Sequence, residues 1–343
     1  MTLATIIIPT RNRVNFLRRV LAYLEKANTE ALPIVVSDSS DQTYHEELFA
    51  LINDYSKKLP LNFIHFPPEL DFGRKISCSL KWVNTPCAVI NADDDFLVPA
   101  TVRACAEFLC NNPDYALAHG HSMLCSLAMR TDSAERKITN LVEYAQVSRE
   151  EPDALERLQA HARCYCTTFY STYRLDLLKR LWPADYAGDK EFSEILPSFL
   201  AHCLGKAKKL DHFYMLRQVH GASDAKTLCD PLHWISSPEF SAQFLRMKRL
   251  LAESLPELHG KTLADREEAV HRAIYLYFAE YLAWGGGAEL SAAALTGQRT
   301  YKGPGSLRDS RLEAQSLLTG TSPFSKEVKF ILDYLCNGSF KTA

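Results

Sequence analysis

No G-x-G-x-x-G and no G-x-x-x-x-G-K-[ST] occurs anywhere in these 343 residues, and glycine itself is sparse at 14. The usual dinucleotide and P-loop phosphate cradles therefore lack their signature. No two of the ten cysteines stand at C-x-x-C spacing, which removes the common zinc frameworks. No apolar run approaches the roughly 18 residues that a membrane span needs. The apolar start "MTLATIIIP" is cut short by Pro9, Arg11 and Arg13, so neither a spanning helix nor a secretory leader is expected. Without a leader, the cysteines read as reduced thiols in a cytoplasmic protein. Charge of one sign is missing as well: 39 lysines and arginines balance 41 acids. That balance gives no general case for nucleic acid or an acidic membrane as partner.

What is present is ordinary core-building material, 47% apolar, in an alternating order. "TIIIPT" reads as a buried strand, and "RVNFLRRVLAYLEKA" follows with apolar residues at helical spacing. "LPIVVSDSSD", "LNFIHF" and "CAVINA" supply three more strands, each separated from the last by a helical pattern. Four strand and helix alternations within about a hundred residues predict a mostly parallel, Rossmann-like α/β sheet with helices on both faces. Such sheets bind ligands at the carboxyl ends of their strands. Further strands are expected in "YALAHGHSML" and "YCTTFYSTYR" and a helix in "EEPDALERLQAHA", while from about Pro238 the chain reads as mainly helical.

Two polar segments fall at strand ends, Ser37 to Asp41 and Asp93 to Asp95. Three consecutive carboxylates repel one another unless a cation or positive partners neutralise them. Oxygen-only sites of this kind suit magnesium or manganese. The plainer use of the triplet is an acidic cap for a helix beginning near Pro99. His119 and His121, two apart in a strand pattern, share a face there. With no acid or cysteine at a ligand spacing, they read as pocket wall or structural residues, and "YLYFAEYLAWGGG" as a packed helix.

"TIIIPTRNR", "IVVSDSSD" and "VINADDDFLVP", in that order and with these gaps, resemble the N-terminal half of family 2 glycosyltransferases. The similarity looks closest to a bacterial branch with a D-D-D-F signature and a helical tail. The resemblance implies a GT-A fold over residues 1–225, with 1–125 as the nucleotide-sugar half, 126–225 as the acceptor and catalytic half, and 226–343 as a helical extension. It implies donor contacts from Pro9, Thr10, Arg11, Ser39, Lys75, Asp93 and Asp95. Asp38 matches the acid that meets the nucleobase, where an Asp acceptor pairs with a base imide N–H. Ser37 and Ser39 stand where the family has an acid and a glycine.

In the family's D-x-D pattern the first acid falls on Ala92 and the second on Asp94, so Asp94 is the expected metal ligand, helped by Asp95 and by His220. "YAGDKEFSEI" is similar to the family's catalytic-acid stretch, placing Asp189 as general base and Glu191 beside it. Arg217, Arg74 and Lys75 are candidate diphosphate contacts. The implied activity is a metal-dependent, inverting transfer of a sugar from a nucleotide diphosphate to a hydroxyl acceptor of a bacterial surface glycan or similar glycoconjugate. Loss of the first acid at Ala92 keeps a catalytically silent nucleotide-sugar-binding protein in play. A sugar-phosphate nucleotidyltransferase ranks lower, because "IIIPTRNR" has no glycine-rich loop. Sugar, nucleotide, acceptor and oligomeric state are not legible.

Overall fold

The computed structural model describes residues 2–129, 136–144, 146–183, 190–219, 234–255, 261–283 and 322–336. Its first hundred residues follow the predicted alternation: β1 (Ala4–Thr10), α1 (Val14–Ala27), β2 (Ile34–Asp38), α2 (His45–Tyr55), β3 (Leu61–His65), α3 (Phe72–Ser79) and β4 (Cys87–Ile90). Strands β3, β2, β1 and β4 lie side by side, all parallel. The apolar residues alternate between two cores, as strand geometry requires. Ile6 and Ile8 of β1 face one side and Ile7 the other; Ile34 and Val36 of β2 oppose Val35 in the same way. The β-branched runs are thus buried on both faces, which is why no polar alternation marks them.

Beyond β4 the sheet turns mixed. The short β5 (Phe96–Leu97) leads into α4 (Pro99–Asn111), with Pro99 opening the helix where a missing N–H costs nothing. Then come β6 (Tyr115–Met129), β7 (Arg136–Tyr144), α5 (Ala154–Arg163), β8 (Thr172–Arg174), α6 (Leu175–Leu181), α7 (Lys190–Leu204) and β9 (Lys206–Val219). Among the described residues nine strands run in the order β3-β2-β1-β4-β8-β6-β9-β5, with β7 paired to β6. The long β6 and β9 are parallel, and β9 pairs antiparallel with β5, so the sheet curls back beside the segment that follows β4. Close approach of β6 to β9 needs glycine at position 120, where a Cβ would run into the His212 carbonyl.

The C-terminal region is helical: α8 (Phe240–Ser254), α9 (Leu263–Ala283) and α10 (Ser325–Cys336). Helices α8 and α9 join α3, α5, α6 and α7 over one face, while α10 joins α1, α2 and α4 over the other. Val270, Ala273, Ile274, Tyr277 and Phe278 of α9 are buried, the core role that their spacing suggests. Among the described residues no helix is long and apolar enough to cross a membrane. The eight cysteines whose side chains are described are free thiols.

The expectation that His119 and His121 share a strand face fails. The β6–β9 register shifts between them, because a bulge breaks the alternation. His119 lines a small cavity of about 20 Å³ with His161 and His202, whereas His121 lies between Glu143 and Asp211 on the surface. Burial pushes His119 down to about 4 and His202 to about 3, and His161 also lies well below the usual range. These rings fold as neutral species but take protons once unfolded, so their stability is present above about pH 6.5 and drains away as pH falls toward the folded values. A His202→Gln variant removes one of the three. Urea unfolding at pH 7 and pH 5 should show it losing less stability than wild type over that interval, by about 1.4 kcal/mol per pH unit below the unfolded pKa. An identical loss in both proteins would mean that His202 is not buried neutral.

Candidate active site

Parallel register sets three side chains abreast at the carboxyl ends of neighbouring strands. Thr10 pairs with Asp38 across β1 and β2, and Asp38 with His65 across β2 and β3. The loop after β1 is pinned to the loop after β2. Asn12, in the left-handed region at φ 55, donates its backbone N–H to Ser40 Oγ (2.8 Å) and its amide to Asp41 Oδ2 (2.5 Å), and Asp41 N–H donates back to Asn12 Oδ1 (2.8 Å). Asparagine tolerates this backbone conformation better than other side-chain-bearing residues. Lys75 of α3 is buried at the centre, donating to the Thr10 carbonyl (3.1 Å) and to Ser39 Oγ (2.9 Å). Arg74 instead turns outward to Asp71. Pro9 is buried; Arg11 is exposed near Asp41.

The three aspartates follow β4 in a turn that Asn91 holds by donating its amide to the carbonyls of Ala92 and Asp95, both at 3.0 Å. All three are buried, yet the turn sends them to different partners. Asp93 accepts from Thr10 Oγ1 (2.7 Å) and sits 3.2 Å from Arg13 Nε. Asp94 is bound by the other end of the same guanidinium, through Arg13 Nη2. Asp95 turns to β9, accepting from Gln218 N–H (2.8 Å), with Arg217 Nε at 3.5 Å. Each arginine is backed by a ring: Arg13 lies 4.4 Å over Phe16, and Arg217 4.3 Å over Tyr170. Burial, reinforced by the Asp94 charge, pushes Asp93 and Asp95 up to about 7, so they exchange protons near neutrality despite their arginines.

Hard carboxylate oxygens at strand ends are the donor chemistry of magnesium or manganese. The triplet does not form a ready three-acid cage, however. Among the described residues no three histidines, cysteines or acids converge on one point, because Asp95 is drawn to β9 and a guanidinium joins Asp93 to Asp94. Two acids beside a bound diphosphate fit a cation that takes most of its ligands from phosphate and water. Asp189 and His220 lie outside the described residues, and of Glu191 only the backbone, in the first turn of α7, is described. Sequence reading missed Arg13, Gln218 and His65. Position alone offered a signal for His65, the last residue of its strand.

Over this fold and site the family comparison is decisive. The family described as glycosyl transferase family 2 matches residues 5–182, just over half of the chain, and the chain belongs to that family. This carries with it the GT-A fold and glycosyl transfer from a nucleotide sugar as the class of activity. No curated protein sequence matches the chain. Among solved structures, residues 1–349 of S. aureus TarS in complex with UDP-GlcNAc are similar in fold, at 18% identity and a TM-score of 0.51, over 81% of this chain and 73% of that one. The mannosyltransferase PcManGT from Pyrobaculum calidifontis, in complex with GDP-Man and Mn2+, aligns at 15% identity and a TM-score of 0.45, over 97% of this chain and 84% of that one.

The Asp95 and Arg217 pair is open to a double-mutant cycle. Removing one partner of a buried pair leaves a bare charge and costs about 3–5 kcal/mol, whereas exchanging both for apolar residues costs much less. Asp95→Ala and Arg217→Met should each destabilise the protein by about 3 kcal/mol on this basis. The double variant should fall well short of their sum, as read by urea unfolding at pH 8. Additive losses would show that the two side chains do not interact.

Proposed function

We propose that this chain is a metal-dependent, inverting glycosyltransferase whose donor lies across the ends of β1, β2 and β4. The observation that supports this most directly is the meeting of Thr10, Lys75, Asp93 and Asp94 at those ends, in a chain of family 2. In this reading Pro9, Thr10, Arg11, Asp38 and Ser39 line the nucleoside, and Lys75 and Arg13 lend positive charge to the diphosphate. Asp93 and Asp95 hold the sugar and the shape of the loop. Asp94 is the cation ligand, with Asp95 and His220 in support; when bound, the cation supplies charge neutralisation for the leaving diphosphate.

Asp189 is the general base and Glu191 its neighbour. A carboxylate on the face opposite the diphosphate takes the acceptor hydroxyl's proton as that oxygen attacks the anomeric carbon, which inverts its configuration. Residues 1–225 make the transferase domain and 226–343 a helical extension that shapes the acceptor side or an oligomer contact. The acceptor is a glycan or glycoconjugate, placed at the bacterial surface by family analogy alone. The eight free thiols accord with a cytoplasmic site of action.

One observation favours a second reading, a binding protein without turnover. Ala92 stands where the family has an acid, and Arg13 already occupies Asp93 and Asp94. The two readings separate in one assay of nucleoside diphosphate release from UDP-GlcNAc, GDP-mannose and other nucleotide sugars, with an acceptor panel. The transferase releases product with one donor when manganese is present, stops on chelation and resumes when the metal is restored. Asp94→Asn and Asp189→Asn each lower kcat by 100-fold or more, in the range of a lost electrostatic or acid-base group. Tight donor binding with no release under any condition would establish the silent binding protein instead.

A further inference from the structure

Asp38, the acid expected to meet the nucleobase, is fully buried, and both its oxygens have partners within the chain. Oδ1 accepts from Ser40 Oγ (2.5 Å); Oδ2 accepts from Ser40 N–H (3.0 Å) and lies 2.7 Å from His65 Nδ1. His65 stands next to Asp38 in the strand register, one place nearer the sheet edge, with its side chain 29% exposed. Its ring is held from a second side by His45, edge-on at 4.6 Å between centroids. His45 in turn is fixed through Nε2 to the Ser40 carbonyl (3.2 Å).

An ionised carboxylate only accepts, so the proton between Asp38 and His65 resides on Nδ1. A ring that carries this one proton keeps a lone pair on Nε2, which has no partner in the chain among the described residues. A histidine nitrogen's role is set by the hydrogen bond that the other nitrogen makes.

We infer that His65 reads the nucleobase through Nε2, and that Asp38 is a positioning residue that fixes the ring and its tautomer. This rests on the donor-site reading above and deepens it. An acceptor that meets the ring nitrogen of the pairing edge selects a base protonated there, as uracil is at N3 and guanine at N1. Cytosine and adenine present a lone pair there and leave Nε2 facing another acceptor. The substrate class is therefore a uridine, thymidine or guanosine diphosphate sugar. Discrimination arises because the wrong base leaves a polar group unpaired. The side chain first assigned to the base thus acts one residue removed from it.

The test is calorimetric titration of the full chain at pH 8, where an ordinary imidazole is neutral, with manganese and UDP, GDP, CDP and ADP. The better of UDP and GDP is then compared with its analogue methylated at the N–H in question, 3-methyl-UDP or 1-methyl-GDP. Wild type should prefer UDP or GDP to CDP and ADP by tenfold or more and lose about tenfold on methylation of the ligand, the scale of one hydrogen bond. His65→Phe should bind all four nucleotides within about threefold and be indifferent to methylation.

A methylation loss equal in both proteins, or a wild-type preference for CDP or ADP, overturns the role of His65 while leaving the nucleotide site in place. Binding of none of the four by wild type overturns the donor site and the inference together. Nitrogen-15 spectra of labelled histidine give a second, activity-independent reading, the His65 signal being the one missing in His65→Phe. A proton on Nδ1 that is lost from that position in Asp38→Ala supports the positioning role; a proton on Nε2 in wild type refutes it.

Discussion

Three buried carboxylates in a row are tolerable only because each is compensated from a different part of the chain. Moving an ion out of water costs several kcal/mol even after relaxation, and only close, well-formed pairing offsets it. Asp93 and Asp94 are answered by Arg13, in the loop before α1; Asp95 is answered by Arg217 and the Gln218 amide on β9. That requirement ties the end of β1, the turn after β4 and the last long strand into one body. It explains why β9 comes to lie beside β5, and why Asn91 shapes the turn from within. An acid beside a cation is also an acid that a substrate-bound cation can claim. The cluster thereby joins three distant parts of the curled sheet.

The parallel half was legible because its signals are local. Period-two burial, strand length and the helical spacing between strands are properties of ten-residue windows, and they gave β1 to β4 and their helices with small boundary errors. The partners of the acids were not legible, since Arg13 and Arg217 lie about 80 and 120 residues from the acids they meet, and nothing nearby marks either arginine as their partner. The sequence marks Arg217 only as a candidate diphosphate contact, and its pairing with Asp95 appears once β9 is placed beside β5. His119 and His121 show a different failure. Alternation is a rule for unbroken strands, and a bulge at the glycine between them removes its premise. Asp38 was found by resemblance, but its neighbour in register, His65, belongs to a strand 27 residues away and is visible only once the two strands are aligned.

Family and fold define what kind of reaction this chain performs; the named side chains define where. At the strand ends the structure sets Thr10, Asp38 and His65 in one row and gathers Lys75, Arg13 and the aspartates beside it. In the proposed mechanism the acceptor side depends on Asp189 and Glu191. This division matches the chemistry, since departure of a diphosphate needs fixed positive charge and deprotonation of an acceptor needs one well-placed base.

The most direct test of the central claim, that the strand ends form the nucleotide site, is amide hydrogen exchange of the full chain with and without UDP or GDP plus manganese. Ligand that binds at the strand ends slows exchange at residues 10–13, 37–40, 65–66 and 91–95, and leaves α8 and α9 unchanged. Protection confined to the C-terminal helices or to the cavity around His161 and His202, with the strand ends unaffected, would contradict it.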